Sequence, residues 1–256
     1  MFQVPKSHPR YESLVKREKL AEGVRAGITS FQGLIAHGRG EAFDYLIGER
    51  TLPPAFEATR TAVAMLLLAR HPVLSVNGNV AALVPSEIVK LSKLLDAPLE
   101  INIFYRTEER VRRIKEHLLK HGAPENKVLG DKPDALIPGL EHARAKAAKE
   151  GIYSADVVLT PLEDGDRCEA LVRMGKKVIA IDLNPLSRTA RAATVTIVDD
   201  LTRAVNNMIR LTTELKDASR SELEKLVENF DNKENLQAML RAITERLVQL
   251  DIIELD

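Results

Sequence analysis

Five short β-branched runs constrain this chain more than any other feature: PVLSV (72–76), EINIF (100–104), DVVLT (156–160), KVIAI (177–181) and TVTIV (194–198). Near-continuous apolar runs of this kind belong to strands buried on both faces. Between them lie longer segments with helical spacing. PSEIVKLSKLLD is one; TEERVRRIKEHLLKHG is another, with Thr107 as its cap and a stop near Gly122. Strands alternating with helices satisfy their hydrogen bonds and cover both sheet faces as a parallel, doubly wound sheet. The expected fold is therefore α/β: a Rossmann-like, mostly parallel sheet of five or more strands, flanked by helices.

Both ends of the chain read as helical. SHPRYESLVKREKLAEGVRAG predicts a helix capped at Ser7, with Pro9 in its first turn and Gly27 just past its end. SFQGLIA and EAFDYLI read as two short helical pieces broken by Gly38 and Gly40, and PPAFEATRTAVAMLLLAR as a helix opened by proline. Beyond Leu201, Leu236, Leu240, Ile243, Leu247 and Leu250 recur at 4-3-4-3 spacing. That stripe suits packing on the chain's own core or a subunit interface. One α/β domain is expected over 1–256, with helical sections at 1–70 and 201–256 around a sheet core at 71–200.

Charge balance narrows the partners. The 256 residues carry 37 Lys and Arg against 37 Asp and Glu. Such a surface has no broad field for a polyanion, so nucleic-acid binding is not expected and any anion site must be a local arginine cluster. The longest apolar stretch, 62–69, falls far short of the roughly 20 residues of a membrane span. The opening MFQVPKSHPRYES lacks a signal-peptide layout, and one cysteine, Cys168, allows no disulfide framework. A cytoplasmic location without membrane contact is the expectation.

In an open parallel sheet, ligands bind beyond the carboxyl ends of the strands. The segment after each run is therefore informative. After PVLSV comes NGNVAAL, where Asn77, Gly78 and Asn79 make either an ordinary turn or a close backbone approach to a phosphate or carboxylate. After DVVLT comes PLEDGDR, with Glu163, Asp164 and Asp166. These acids suit Mg2+ or an ammonium group, or merely cap the next helix. After KVIAI comes DLNPLSRTAR: Pro185 stiffens the turn, Asp182 and Asn184 offer polar edges, and Arg188 and Arg191 bring planar forks suited to phosphate. Upstream, Arg17 shares a helical stripe with Leu14, Ala21 and Val24, and needs either a ligand or an acid partner. Arg39 stands between two glycines, which leave its guanidinium uncovered.

Several motifs fall short. GLIAHGRG has P-loop glycine spacing, but Arg39 and Gly40 replace the Lys and the Ser/Thr, and no strand precedes it. His117 and His121 stand four apart without a third metal ligand, Cys168 has no base beside it, and there is no G-x-S-x-G elbow.

Taken together, SHPRYESLVKREKL, GLIAHGRGEAFDYLIGERT, SVNGNVAALVP, INIFYRTEERV, IPGLEH, PLEDGDRCEALVRMGK and IDLNPLSRTAR resemble the archaeal phosphopantothenate synthetases, or 4-phosphopantoate–β-alanine ligases. The resemblance runs from Pro5 to about the end and is weakest after about Gln249. It implies an enzyme that joins 4-phosphopantoate to β-alanine with ATP, releasing AMP and diphosphate, through an acyl-adenylate, in coenzyme A biosynthesis; charge building on the phosphate oxygens calls for Mg2+ beside the arginines, and the helical ends, with more apolar stripe than one sheet domain needs, predict a homodimer. It also implies an ATP site of Arg17, Arg39, Asp182, Leu183, Asn184, Arg188, Thr189, Asp199 and Asp200, with Arg39 and Arg188 acting on phosphate charge. Asn77, Gly78 and Asn79 are the candidates for phosphopantoate, and Asp164 and Asp166 for β-alanine or Mg2+. Another ATP-dependent carboxylate–amine ligase and a non-catalytic nucleotide sensor stay open as alternatives.

Overall fold

The computed structural model describes residues 5–249. Three helices lead: α1 (Tyr11–Arg25), α2 (Phe31–Ile47) and α3 (Pro53–Leu68). Next come β1 (Pro72–Val76), α4 (Gly78–Leu83), α5 (Pro85–Leu95), β2 (Leu99–Ile101) and α6 (Glu108–Lys120). A short edge strand β3 (Val128–Leu129) precedes an antiparallel pair, β4 (Ala135–Leu136) with β5 (Lys146–Ala147). The second half runs β6 (Val157–Pro161), α7 (Gly165–Arg173), β7 (Lys177–Ile181), α8 (Arg188–Ala192) and β8 (Val195–Ile197). Helices α9 (Leu201–Leu215), α10 (Arg220–Glu228) and α11 (Asn232–Gln249) complete the order.

The main sheet has the order β3-β2-β1-β6-β7-β8, and every neighbouring pair is parallel. Strands are added outward from β1 to β3; the chain then returns to β1's other side and continues to β8. Where the order reverses, between β1 and β6, the connections diverge and a crevice opens beyond the strand ends.

The pleat explains why the five runs are apolar throughout. Leu74, Val76, Leu159, Ile179 and Ile181 enter one core cluster with residues of α3, α5 and α9. Val73, Val158, Val178 and Ala180 point the other way, against Cys168 and Leu171 of α7 and Ile137 and Ile152 near the β4–β5 pair. Successive residues serve opposite faces, and both faces are covered.

Local expectations were corrected at several places. α1 starts at Tyr11, and Ser7 caps nothing; the N-cap position is Arg10, whose backbone N–H donates to His8 Nδ1 at 3.0 Å. α2 is one helix that runs through Gly38 and Gly40. Each glycine costs a helix about 1 kcal/mol. Here the Ser30 cap, the left-handed Gly48 at the other end, buried Ile47 and an ion pair between Asp44 and Arg203 outweigh that cost. β2 and β8 are shorter than their runs. Asn102, just past β2, donates to the Lys146 carbonyl (2.9 Å), so its neighbourhood serves the β4–β5 pair instead of extending the strand. β3 and that pair were not anticipated. In the C-terminal stripe, Leu236 and Ile243 pack with Ile47 and Leu52 into a third cluster, the own-core outcome; Leu247 is 45% exposed. Leu250 lies outside the described residues. No helix among them is long and apolar enough to cross a membrane.

Candidate active site

The crevice at the strand-order reversal is held by one side chain. Asn77, directly after β1, caps α4: its Oδ1 accepts from the N–H groups of Asn79 (3.0 Å) and Val80 (3.1 Å). Its Nδ2 donates to the carbonyls of Pro161 (2.9 Å) and Leu162 (3.2 Å) at the end of β6. The two diverging strand ends are thus stitched together. Asn79 does the same for α2: its Nδ2 donates to Gly33 O at 2.9 Å, and its Oδ1 accepts from the Thr29 hydroxyl. Both amides are spent on the scaffold. Between them, a Cβ on Gly78 would come within 2.6 Å of the Ile28 carbonyl and 2.7 Å of Arg110 Nη2, so glycine is required by close approach.

Two adjoining cavities open here. One, of about 510 Å3, lies between α2, the loops after β6 and β7, and the start of α9. The other, of about 340 Å3, lies on the β1–β2 side. Both fall in the roughly 300–1,000 Å3 range of ligand pockets. Ala36, Arg39, Asn79, Leu162 and Asp164 belong to both and form the wall they share. Leu162 adopts a left-handed backbone (φ 52°), a conformation that costs a branched residue energy and turns the chain sharply away from β6.

The larger cavity is built from the segment between β7 and β8. Asp182 accepts from Asn184 N–H (2.9 Å) and the Ser187 hydroxyl (2.5 Å), which closes the loop around Pro185. Ser187 also caps α8, accepting from Ala190 N–H at 2.9 Å. Burial pushes the Asp182 pKa up, against those donors and the charge of Arg39. The Thr189 hydroxyl donates to Glu163 O (2.8 Å), and a Cβ on Gly165 would sit 2.5 Å from Arg188 Cβ, so the loop after β6 and the first turn of α8 touch. Arg188 is exposed and paired with Glu169 at 3.0 Å. Arg39 is exposed and enters no hydrogen bond or ion pair among the described residues.

Of the expected ATP residues, Arg39, Asp182, Leu183, Asn184, Arg188, Thr189 and Asp200 all wall this cavity. Asp200 is buried and caps α9 through Thr202 N–H (3.0 Å), with Lys16 Nζ 3.0 Å away. Burial alone would raise its pKa; Lys16 and the local donors outweigh that and hold it below the usual carboxylate value. Asp199 lines neither cavity. It is buried, accepts from Thr51 (2.5 Å) and pairs with Arg203 (2.7 Å); burial pushes its pKa up. Arg17 also lines neither. It pairs with Glu41 at 3.0 Å, as an arginine on an apolar stripe needs to, and α1 buries Ser13, Leu20 and Gly23 rather than that stripe. Arg191 is exposed and outside both walls.

Asp164 sits in the shared wall with Arg144 at 2.6 Å, whereas Asp166 lines neither cavity and pairs with His142 at 2.8 Å. Neither caps α7 through its side chain at the N-cap position. Among the described residues, no group of three or more His, Cys, Asp or Glu is placed to hold a metal ion.

Sequence reasoning named Glu163 only as one of three loop acids and missed the buried network of charges beneath the wall. Glu163 has a fully buried side chain that bridges Arg144 (2.9 Å) and the fully buried Arg167. Nearby Glu100, inside β2, accepts from Ala148 (3.0 Å) and Ile152 (2.6 Å) N–H groups, and burial raises its pKa. Two signals were available: an acid within a buried strand, and the i,i+4 pair Glu163/Arg167 at a strand end. His37 was missed as well. It lines the larger cavity, burial lowers its pKa, and its Nε2 has no partner. Cys168 is buried and its thiol is pushed up to about 12, so it is a packing residue. His117 and His121 pack with ring centres 4.4 Å apart and ring planes tilted by 57°.

Comparison with known proteins bears on this geometry. Residues 54–246 match the family described as phosphopantothenate/pantothenate synthetase. The chain is 61% identical over 250 residues to the 4-phosphopantoate–β-alanine ligase of Thermococcus kodakarensis, covering 98% of this chain and 95% of that one. It is 57% identical over 247 residues to the protein of the same name from Methanosarcina mazei, covering 96% of each. With the one from Methanospirillum hungatei it shares 49% over 247 residues, covering 96% and 99%.

Proposed function

The chain belongs to the phosphopantothenate/pantothenate synthetase family, and we propose that it is the ligase that condenses 4-phosphopantoate with β-alanine to give 4-phosphopantothenate in coenzyme A biosynthesis. The single observation that carries the reading onto this structure is the pair of cavities sharing a wall at Arg39 and Asp164. A condensation of this kind needs a nucleotide and an acid side by side. ATP takes the larger cavity, with Asp182, Leu183, Asn184 and Asp200 around the nucleoside and Arg39, Arg188 and Thr189 towards the phosphates. The acid takes the smaller cavity, whose floor is Gly78 between the scaffold amides of Asn77 and Asn79.

The chemistry follows from that division. A carboxylate is a poor electrophile; attack by its oxygen on the α-phosphorus of ATP forms an acyl-adenylate and expels diphosphate. The β-alanine amine then attacks the acyl carbon and AMP leaves. Negative charge builds on phosphate oxygens in the first step. Arg39, without a competing acid, is the group poised to meet it. Arg188 must share its charge with Glu169. Asp164, whose other oxygen is held by Arg144, supplies a carboxylate at the wall that either binds the ammonium form of β-alanine or takes the proton it must lose before the neutral amine attacks; Asp166 supports the wall indirectly, through His142. Arg17 and Asp199 act one layer out, holding Glu41 on α2 and Arg203 on α9. The described residues do not fit a protein-held Mg2+: no group of three or more His, Cys, Asp or Glu is placed to hold one, and Asp164 and Asp166 are already engaged by Arg144 and His142. Magnesium, in this proposal, arrives on the triphosphate.

One domain and a homodimer complete the proposal. The helices of both ends cover the same sheet, through α3 and α9. On α2, Phe31 (71% exposed), Ile35 (67%) and Tyr45 (43%) form a stripe beside the half-exposed stripe of α1, more apolar surface than a monomer needs. Light scattering at the monomer mass over a wide concentration range counts against the dimer. The activity is tested by mixing ATP, 4-phosphopantoate and β-alanine and following AMP and product by mass. AMP formation with a different acid or amine only would mean another ligase, and ATP binding without turnover a sensor.

A further inference from the structure

Resting on the ligase reading, we infer that His142 is a positioning residue of the amide-forming step: with Phe104 and Asp166 it fixes the loop that presents Asp164 to β-alanine, and adenylation does not depend on it. β1 lies between β2 and β6, so the loops leaving those two strands flank it on either side. The segment 142–146 straps one to the other. Towards β2 it is tied by Asn102, whose Nδ2 donates to the Lys146 carbonyl (2.9 Å) and whose Oδ1 accepts from Arg144 Nε (3.2 Å). Phe104 adds to that tie by stacking on the His142 ring, with centres 4.9 Å apart. Towards β6 the strap grips two acids of one loop: Arg144 holds Asp164 at 2.6 Å, and His142 holds Asp166 at 2.8 Å. Phe104, Arg144 and Asp164 line the smaller cavity, so the strap forms one of its sides.

The two grips differ in kind. Arg144 is buried and divided among Glu163, Asp164 and Asn102, a fixed part of the charge network beneath the wall. His142 spends its whole polar grip on Asp166: Nε2 makes that bond, and Nδ1 is buried without a partner among the described residues. Asp164 stands at the N-cap position of α7 and makes no side-chain cap bond. The first turn of that helix, which carries Asp166, is therefore anchored from outside, by the histidine. Asp164 itself is half-exposed, so its direction follows that turn. A group that binds or deprotonates an attacking amine loses much of its effect when displaced by even about 1 Å. The nucleotide side of the same loop has a separate hold: the Thr189 hydroxyl donates to Glu163 O at 2.8 Å. Losing His142 thus leaves the wall of the larger cavity in place.

The test reads the two half-reactions separately in the wild type, His142→Phe and His142→Gln. Adenylation is followed as ATP–diphosphate exchange with 4-phosphopantoate saturating and no β-alanine, and amide formation as kcat/KM for β-alanine. His142→Phe keeps the stack on Phe104 and loses the bond to Asp166. Its kcat/KM for β-alanine should fall on the order of 10- to 100-fold while exchange stays near the wild-type rate. His142→Gln, whose terminal amide can donate to the same carboxylate, should recover part of the loss. Equal losses in both half-reactions would make His142 a scaffold residue and overturn the inference, as would a wild-type kcat/KM for β-alanine in His142→Phe. If His142→Phe does not fold, Asp166→Ala, which cuts the same tie from its exposed end, decides by the same two criteria. Asp164→Asn separates the failures. With a wild-type kcat/KM for β-alanine it would defeat the proposed amine site and this inference with it; a wild type that shows neither exchange nor product would defeat the ligase reading itself.

Discussion

Arg39→Ala separates catalysis from folding more cleanly than any other change at this site. Arg39 is exposed, stands between Gly38 and Gly40, and makes no hydrogen bond or ion pair among the described residues. Nothing within 4 Å would meet a Cβ on Gly38, so the surface beside it is open. Truncating such a side chain should change stability by no more than about 0.5 kcal/mol. Its charge lowers the Asp182 carboxyl pKa against the effect of burial. The loss should fall on the transition state, where phosphate charge develops. Removing one donor of this kind costs about 3–4 kcal/mol, or roughly 10²–10³ in rate. The assay is ATP–diphosphate exchange with 4-phosphopantoate and no β-alanine, which reads the adenylation step alone, run beside a thermal melt. Arg39→Lys should recover only part, since a point charge replaces a planar fork. A melt like wild type with exchange at the wild-type rate would falsify the assignment. A matching loss of stability would instead make Arg39 a scaffold residue.

Three further outcomes are expected. Gly165→Ala places a methyl 2.5 Å from Arg188 Cβ, an atom that cannot swing aside; it should cost about 1–3 kcal/mol of stability and raise KM for ATP while leaving that for β-alanine unmoved. Cys168 is buried with its thiol pushed to about 12, so a disulfide reagent at pH 8 should label it only in denaturant; rapid labelling of the native protein refutes the packing. Asp200→Asn keeps the α9 cap but leaves Lys16 without its partner, for a loss of about 1–2 kcal/mol at neutral pH. Because the folded pKa of Asp200 is depressed, its contribution is complete above about pH 4 and fades as pH falls through the folded value, so the gap between the two proteins should close on acidification.

The sheet was legible because its information is local. Runs such as KVIAI carry β-branched residues on both faces, and that pattern has few other uses. Part of the larger cavity's wall was legible for the same reason: Asp182, Asn184 and Arg188 follow one strand end within a short segment. Contacts that join distant segments were not. Arg144 reaches Glu163 only because the two-residue strands β4 and β5 fold 143–147 back over the sheet, and no periodicity marks strands so short. Nor does any pattern mark Arg110, whose side chain meets the Ile28 and Tyr105 carbonyls only once α6 is set against 28–30 and 104–105. The misreading of α2 had the opposite cause. Gly38 and Gly40 weaken a helix locally, and burial of Ile47 together with the Asp44–Arg203 pair, formed 159 residues apart, overrides them.

Asn77 shows how far the site depends on its stitching. Its Oδ1 caps α4 and its Nδ2 spans to the Pro161 and Leu162 carbonyls, so one amide closes the point where the strand order reverses. Asn77→Asp keeps the capping oxygen and removes both spanning donors. It also puts a carboxylate against two carbonyl oxygens. Losing two hydrogen bonds, with acceptors now facing acceptors, should cost about 2–4 kcal/mol at neutral pH. The sign with pH is the useful part. The two N–H groups at the capping oxygen favour the carboxylate, but two carbonyl oxygens held at hydrogen-bond distance from the other oxygen, with partial burial, oppose it more strongly, so the folded pKa should lie above the unfolded value of about 4. Stability is then lost as pH rises through the folded value and regained below it, where the neutral acid can donate one of the missing bonds. The deficit against wild type should therefore be largest near pH 8 and shrink towards pH 5, while Asn77→Ser, which caps but cannot span, should show a smaller deficit that does not move with pH. Both cavities share Leu162 and Asn79, so ATP and the acid substrate should weaken together in the aspartate variant. A pH-independent deficit in Asn77→Asp, or loss of one substrate without the other, would mean that the strand ends are held by something other than this amide.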